Sequence, residues 1–214
     1  VKQKYKLTEL GLGSMVPFER VRCNPKGWVI VCGPTGAGKT TTVYSLLEYL
    51  FAPQISCVTI EDPIEYDLPG VTQIQIHEEI GFSFDRALRS VLRQDPNIVM
   101  VGEVRDSETA RIAATAALTG HLIISTVHTG DSLSAIARLS DLGVASYILS
   151  NTLNLIISQR LIPKLCQLCK VIWTPNETEK EILQILFNYQ GQKKLYSKTG
   201  CNNCQTKGVL GRVA

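Results

Sequence analysis

The chemistry in this 214-residue chain is most legible at Gly33-Pro34-Thr35-Gly36-Ala37-Gly38-Lys39-Thr40. Glycines at this spacing let successive backbone N–H groups close around phosphate oxygens, and a helix beginning at the loop's end points its positive pole at them. Lys39 can reach β- and γ-phosphates, and the Thr40 hydroxyl can sit on Mg²⁺. Thr41, the next residue, completes the candidate nucleotide-binding set. Both flanks suit the motif. Gly27 to Cys32 is a short apolar run that reads as a buried strand, and Thr41 to Phe51 carries Val43, Leu46, Leu47 and Leu50 at helical spacing.

Acids and histidines follow further apolar runs. Ile55 to Ile60 leads into Glu61-Asp62-Pro63-Ile64-Glu65. In a parallel sheet the strand ends face the ligand crevice, which would set Glu61, Asp62 and Glu65 beside the triphosphate. Pro63 fixes a bend that can aim Glu65 back at the loop. These acids could serve base chemistry or Mg²⁺. Asn97 to Glu103 is a third buried run, and an apolar strand delivering Glu103 suits a Mg²⁺-organising element, with Arg105 and Asp106 behind it. Gly102 stands where a second acid is commoner. Leu122 to Thr126 is bracketed by His121 and His128. His128 falls on the crevice side and can donate to a phosphate oxygen. His121 reads either as structural or as a second nucleotide contact.

The elements that must position these residues alternate. Helices are expected from Ser83 to Arg93, Ser107 to Leu118, Asp131 to Leu142 and Tyr147 to Ile157, with Ser83, Ser107 and Asp131 at the starts. Strand and helix in alternation imply an α/β fold with a mostly parallel sheet and helices on both faces. Val71 to Ile76 alternates with period two, a half-exposed strand expected to pair with the stretch around Glu65 like a hairpin. Residues 1–24 read as a linker or the tail of a preceding domain, 25–164 as the core and 165–214 as an appended lobe. Arg20 and Arg22 are solvated charges or reach a nucleotide; Arg86, Arg89 and Arg93 lie on or near one helix.

Of seven cysteines, Cys32 and Cys57 lie in apolar runs and Cys23 stands alone. The other four form Cys166-Gln167-Leu168-Cys169 and Cys201-Asn202-Asn203-Cys204. Two such pairs suit tetrahedral Zn²⁺ held by four thiolates in a closed, structural site; a single pair would equally suit redox chemistry. The net charge of +3 is too small to argue for nucleic acid. There is no apolar run of membrane-spanning length and no signal peptide, and a nucleotide loop beside free cysteines points to the cytosol. The chain starts at Val1 and stops at Ala214 with no obvious end, which reads as a piece of a longer protein.

Taken together these residues resemble the secretion ATPase superfamily, and more narrowly the motor ATPases of type II secretion and type IV pilus assembly. The resemblance runs from about Gly11 onward. It is carried by Gly33 to Thr40, by Thr59-Ile60-Glu61-Asp62-Pro63-Ile64-Glu65-Tyr66, by Leu92 to Asp106 and by Ala117 to His121 with Ser125 to Thr129. It implies a RecA-like P-loop NTPase core plus a small zinc-binding subdomain, with ATP, Mg²⁺ and Zn²⁺ as ligands. A lone glutamate after Gly102 is this family's normal form. By position Glu65 matches the family's proposed general base, Glu103 its Mg²⁺-organising acid, and His121 and His128 its histidine segment. The family's working form is a cytoplasmic homohexamer docked on an inner-membrane platform protein, so membrane contact is indirect and no nucleic acid is expected. Two other readings stand beside it: a RecA-like nucleic-acid translocase, which needs a basic channel with stacking aromatics, and a nucleotide-sensing scaffold without turnover.

Overall fold

A computed structural model describes residues 5–191 and 194–213. They form two compact units, divided between Arg160 and Leu161.

The first unit is built on a six-stranded sheet. Its strands are β1 (Gly27–Cys32), β2 (Cys57–Glu61), β3 (Thr72–Gln75), β4 (Ile98–Val101), β5 (Leu122–Val127) and β6 (Leu153–Ser158). The spatial order is β3-β2-β4-β5-β1-β6, and every neighbouring pair is parallel. Successive side chains of a strand point to opposite faces. In β1 this splits the apolar run in two: Trp28, Ile30 and Cys32 join one core cluster, Val29 and Val31 the other. The first cluster is closed by α3 (Phe84–Leu92), α4 (Ser107–Leu118), α5 (Ser132–Asp141) and α6 (Ser146–Thr152). The second is closed by α2 (Lys39–Leu50) and α1 (Val16–Cys23). Alanines at 110, 113, 114, 116 and 117 are buried in α4, which lets that helix pack close to its neighbours.

Five local expectations need correction. Tyr147 to Ile157 is not one helix: it is α6 followed by β6, which runs parallel to β1. The run Leu155, Ile156, Ile157 suits a strand as well as a helix face, and pairing along β1 decides between them. β3 makes no hairpin with the stretch around Glu65; it pairs in parallel with β2, Ile60 opposite Ile74. Residues 62–71 form the crossover that a parallel pair requires. The N-cap of α4 is Asp106, one residue before Ser107, its carboxylate accepting the Thr109 N–H at 2.8 Å. Ser83 holds the N-cap position of α3, but its hydroxyl donates to Asp85 instead of capping the backbone. Residues 5–24, expected as linker or tail, place Leu7, Leu10, Phe18 and Val21 in the second core cluster. The turn at Leu7–Glu9 packs on α2 and α1 packs on β6, so the segment is part of the core's cladding.

The second unit contains β7 (Ile162–Leu165) paired antiparallel with β10 (Val209–Val213), β8 (Val171–Trp173) paired antiparallel with β9 (Leu195–Ser197), and α7 (Glu177–Phe187). Asn176 and Glu179 form a reciprocal capping box at the start of α7. No helix among the described residues is long and apolar enough to cross a membrane.

Candidate active site

The strand order positions the site. β5 lies between β1 and β4, so the loop after β1 and the acid after β4 are two inter-strand spacings apart, about 9.6 Å. Whatever follows β5 falls between them. The register is Cys32 opposite Val127 and Val101 opposite Ser125. Gly33, His128 and Glu103 therefore emerge together at the carboxyl ends of three adjacent strands.

The side chains close that gap. Lys39, the first residue of α2, is buried and donates its ammonium to the carbonyls of Gly33 at 2.9 Å and Pro34 at 3.1 Å. Its Nζ is also 3.4 Å from Nδ1 of His128, whose Nε2 is 3.4 Å from a Glu103 carboxylate oxygen. With the ammonium donating to Nδ1, the ring N–H is assigned to Nε2, facing Glu103. Burial pushes the Lys39 amine down from its ordinary value, and the nearby Glu103 charge pulls it back up. Arg105 binds the other Glu103 oxygen, and that bond raises the arginine's own pKa.

Two glycines stand at close approaches. A Cβ on Gly33, whose φ is +153°, would stand 2.4 Å from the Gln159 carbonyl at the end of β6. A Cβ on Gly102 would stand 3.1 Å from the Ile60 carbonyl, which accepts the Gly102 N–H at 2.8 Å. The Gly102 carbonyl accepts the Thr126 hydroxyl at 2.7 Å. A side chain at 102 would thus crowd the Ile60 carbonyl by a few tenths of an ångström.

A cleft of about 620 Å³ gathers Thr35, Gly36, Ala37, Gly38, Lys39, Thr40 and Thr41 with Glu61, Asp62, Glu65, Glu103 and His128. Gly33 and Pro34 stand at its edge through the Lys39 ammonium. Asp62 and Glu65 are exposed to it. Glu61 is not: it is 2 % exposed, and its carboxylate accepts from Tyr44, Thr59 and Gln73. His121 is not brought to the cleft. It precedes β5, a strand length of roughly 20 Å from the carboxyl end. Its Nδ1 lies 3.2 Å from the Ala116 carbonyl, and its Nε2 is buried without a hydrogen bond, 3.9 Å from Asp95.

Residue-by-residue reading missed Tyr44, Gln73 and Gln159. Tyr44 sits on the apolar face of α2, and its hydroxyl was the available signal, because a buried tyrosine needs a partner. Gln73 read as the wet side of a half-exposed strand. Gln159 accepts the Thr42 hydroxyl at 2.5 Å, tying β6 to α2, and nothing local marks it.

In the second unit the four Sγ atoms of Cys166, Cys169, Cys201 and Cys204 all lie within 4.8 Å of one another. Three separations are 3.9, 3.7 and 3.8 Å. Four thiolates at about 2.3 Å from a central Zn²⁺ make a tetrahedron with edges of about 3.8 Å, so the donor set fits that ion. A disulfide would bring two sulfurs to about 2.05 Å. The Cys204 sulfur also accepts the backbone N–H groups of Cys201 and Gly208, both at 3.2 Å. These bonds hold the thiol down to about 7.

Comparison with known proteins places the chain in a family. The family model described as "Type II/IV secretion system protein" matches residues 4–214. A type IV pilus assembly ATPase, PilB, of Myxococcus xanthus is 44% identical over 97% of this chain and 37% of its own length. A type II secretion system ATPase E of Vibrio cholerae is 44% identical over 92% of this chain and 39% of its own. The chain therefore spans well under half the length of these relatives. Among solved structures, the pilus retraction motor PilT with bound ADP superposes with a TM-score of 0.68 at 39% identity, over 78% of this chain and 51% of that one. With a parallel sheet that delivers a glycine loop, a histidine and a glutamate to one cleft, and with sequence identity along nearly its whole length, the chain belongs to the type II/IV secretion system protein family.

Proposed function

We propose that this chain is the ATP-hydrolysing core of a secretion or pilus-assembly motor. The observation that carries the reading is the continuous line from the Lys39 ammonium through His128 to Glu103 at the mouth of the glycine loop, with Glu65 exposed in the same cleft. Phosphoryl transfer asks a protein chiefly for position and charge. Residues 33–41 wrap the phosphates with backbone N–H groups, and Lys39 turns from the loop carbonyls to the γ-phosphate. Thr40 and Glu103 would hold Mg²⁺, which would supply positive charge to the phosphates. His128 donates to a phosphate oxygen, and Glu65 accepts the proton of the attacking water.

The four-cysteine unit is a structural zinc lobe, a reading supported by the tetrahedral spacing of its sulfurs. The named relatives work in pilus assembly and type II secretion, which supports the same setting here. In this reading the chain acts within a cytoplasmic homohexamer on an inner-membrane platform protein. His121, far from its own cleft, has no part in the nucleotide chemistry of the same protomer.

The test is steady-state phosphate release by the full-length protein. Glu65→Gln should lower turnover by roughly 10²–10⁴ while ATP still binds, and Lys39→Ala should weaken ATP binding itself. Wild-type turnover in Glu65→Gln removes that residue from the base role. Wild-type affinity in Lys39→Ala contradicts the loop assignment.

A further inference from the structure

Glu65 lies in the 62–71 crossover, a segment with no ladder of its own. Side chains hold its backbone instead. The Tyr44 hydroxyl accepts the Glu65 N–H at 3.4 Å. Gln73 donates to the Tyr66 carbonyl at 3.2 Å and accepts the Leu68 N–H at 2.7 Å. Gln75, two residues on and so on the same side of β3, accepts the Ile64 N–H at 3.3 Å. The side of β3 that looks wet in the sequence is a rack for this loop.

Glu61 joins these supports. One carboxylate oxygen accepts the Tyr44 hydroxyl; the other accepts Thr59 Oγ1 at 2.6 Å and Gln73 Nε2 at 3.0 Å. Tyr44 is itself fully buried, with the Tyr66 ring edge-on at 4.6 Å. Burial, then the bond to Glu61, raises its pKa, so it remains a neutral donor. Tyr44 is also one helical turn beyond Thr40 on α2. The helix that starts at the phosphate loop is thus hydrogen-bonded to the loop that carries Glu65.

We propose that Tyr44 and Gln73, linked through the buried Glu61 carboxylate, are positioning residues that hold Glu65 in register with the phosphate loop. This rests on the reading of Glu65 as the general base. Tyr44→Phe keeps the ring and its packing on Tyr66. It removes one donor from Glu61 and the acceptor of the Glu65 N–H. A shift of the loop by a fraction of an ångström to 1 Å should lower kcat by about 10- to 100-fold, because a catalytic group misplaced by that much loses up to about two decades of rate. KM and ATP affinity should stay within about twofold, since no substrate contact is removed.

The experiment is a double-mutant cycle of Tyr44→Phe and Glu65→Gln in the full-length protein, read by phosphate release and ATP binding. The expected result is a loss of kcat in Tyr44→Phe that disappears in the Glu65→Gln background. Unchanged kcat in Tyr44→Phe, or the same fold loss with and without Glu65, overturns the positioning role and leaves the base assignment intact. Wild-type kcat in Glu65→Gln alone overturns the base assignment, and the positioning role with it. If Tyr44→Phe fails to fold, Gln73→Leu replaces it in the same cycle with the same outcomes.

Discussion

On the reading of the four-cysteine unit as a zinc lobe, removing Zn²⁺ should abolish the unit's structure outright. Among the described residues from 161 to 213, only Cys166, Pro175, Cys204 and Gly208 are buried. The large apolar side chains are outside: Leu168 is 76% exposed and Ile185 81%. Two-stranded ladders such as β7 with β10 and β8 with β9 are marginal by themselves. The unit thus lacks the apolar core that would keep it folded, and the sulfurs have the spacing of a zinc tetrahedron. Structural Zn²⁺ in small peptides binds with an apparent free energy of about 10–16 kcal/mol at neutral pH, which in such sites is folding free energy. Withdrawing about 10 kcal/mol lowers an opening constant's protection by roughly seven decades. Hydrogen exchange on the full-length protein measures this directly. With a chelator, or in Cys201→Ser, the N–H groups of Cys166, Lys170 and Thr206, bonded here to Gly208, Cys166 and Cys201, should exchange as in an unfolded chain. Amides of β1, β4 and β5 serve as the internal control for global unfolding. Protection that survives stoichiometric loss of metal refutes the reasoning, and so does a purified protein whose four cysteines are oxidised and metal-free.

Two further outcomes can be checked on the first unit. Glu61→Ala leaves the buried Tyr44 and Thr59 hydroxyls without their acceptor, while the half-buried Gln73 amide keeps the Tyr66 carbonyl, and at about 1 kcal/mol or more for each buried donor it should cost about 2 kcal/mol in denaturant unfolding; a loss below about 1 kcal/mol would show that water takes over the carboxylate's role. Asp131 caps α5 by accepting the Ser134 N–H and hydroxyl at 2.8 and 2.9 Å, and those bonds hold its carboxyl below the ordinary 3.8. A depressed carboxyl stabilises the fold above its unfolded pKa and stops doing so as pH falls through the folded value. The stability gap between wild type and Asp131→Asn should therefore be present at neutral pH and close below pH 3.8, and a gap unchanged in acid would contradict that.

The parts of the fold that could be read in advance are those whose signals are local. β1, the glycine loop and α2 follow one another within 24 residues, so pattern and context sit in one window. The same holds for β4 and β5, apolar runs too short for helices and bounded by Asn97, Gly102 and Gly120. β6 was hidden because an apolar run following a helix continues its period, and only the free edge of β1 makes it a strand. β3 was visible as a strand but not as a parallel partner of β2, because nothing in its four residues records which edge it meets. The N-terminal segment hid its role similarly: Leu7, Leu10, Phe18 and Val21 lack a strong periodic pattern and are organised by the core surface they join.

At the site, strand direction decides between residues that composition treats alike. His121 and His128 flank the same strand, yet only the one after its carboxyl end reaches the cleft, as parallel-sheet geometry requires. Glu61 shows where that rule needs refinement. It belongs to the strand itself, so its side chain follows the alternation of β2 and shares a face with Thr59, whose hydroxyl it accepts. Asp62 and Glu65 lie past the strand end and escape that alternation. An acid on the last strand residue is therefore drawn into the sheet's packing, where it must collect donors; an acid a few residues later is left to the ligand. Besides Thr59, the donors Glu61 collects are 17 and 12 residues away, on α2 and β3. Only the folded chain shows that the same contacts that satisfy this acid also hold the next one.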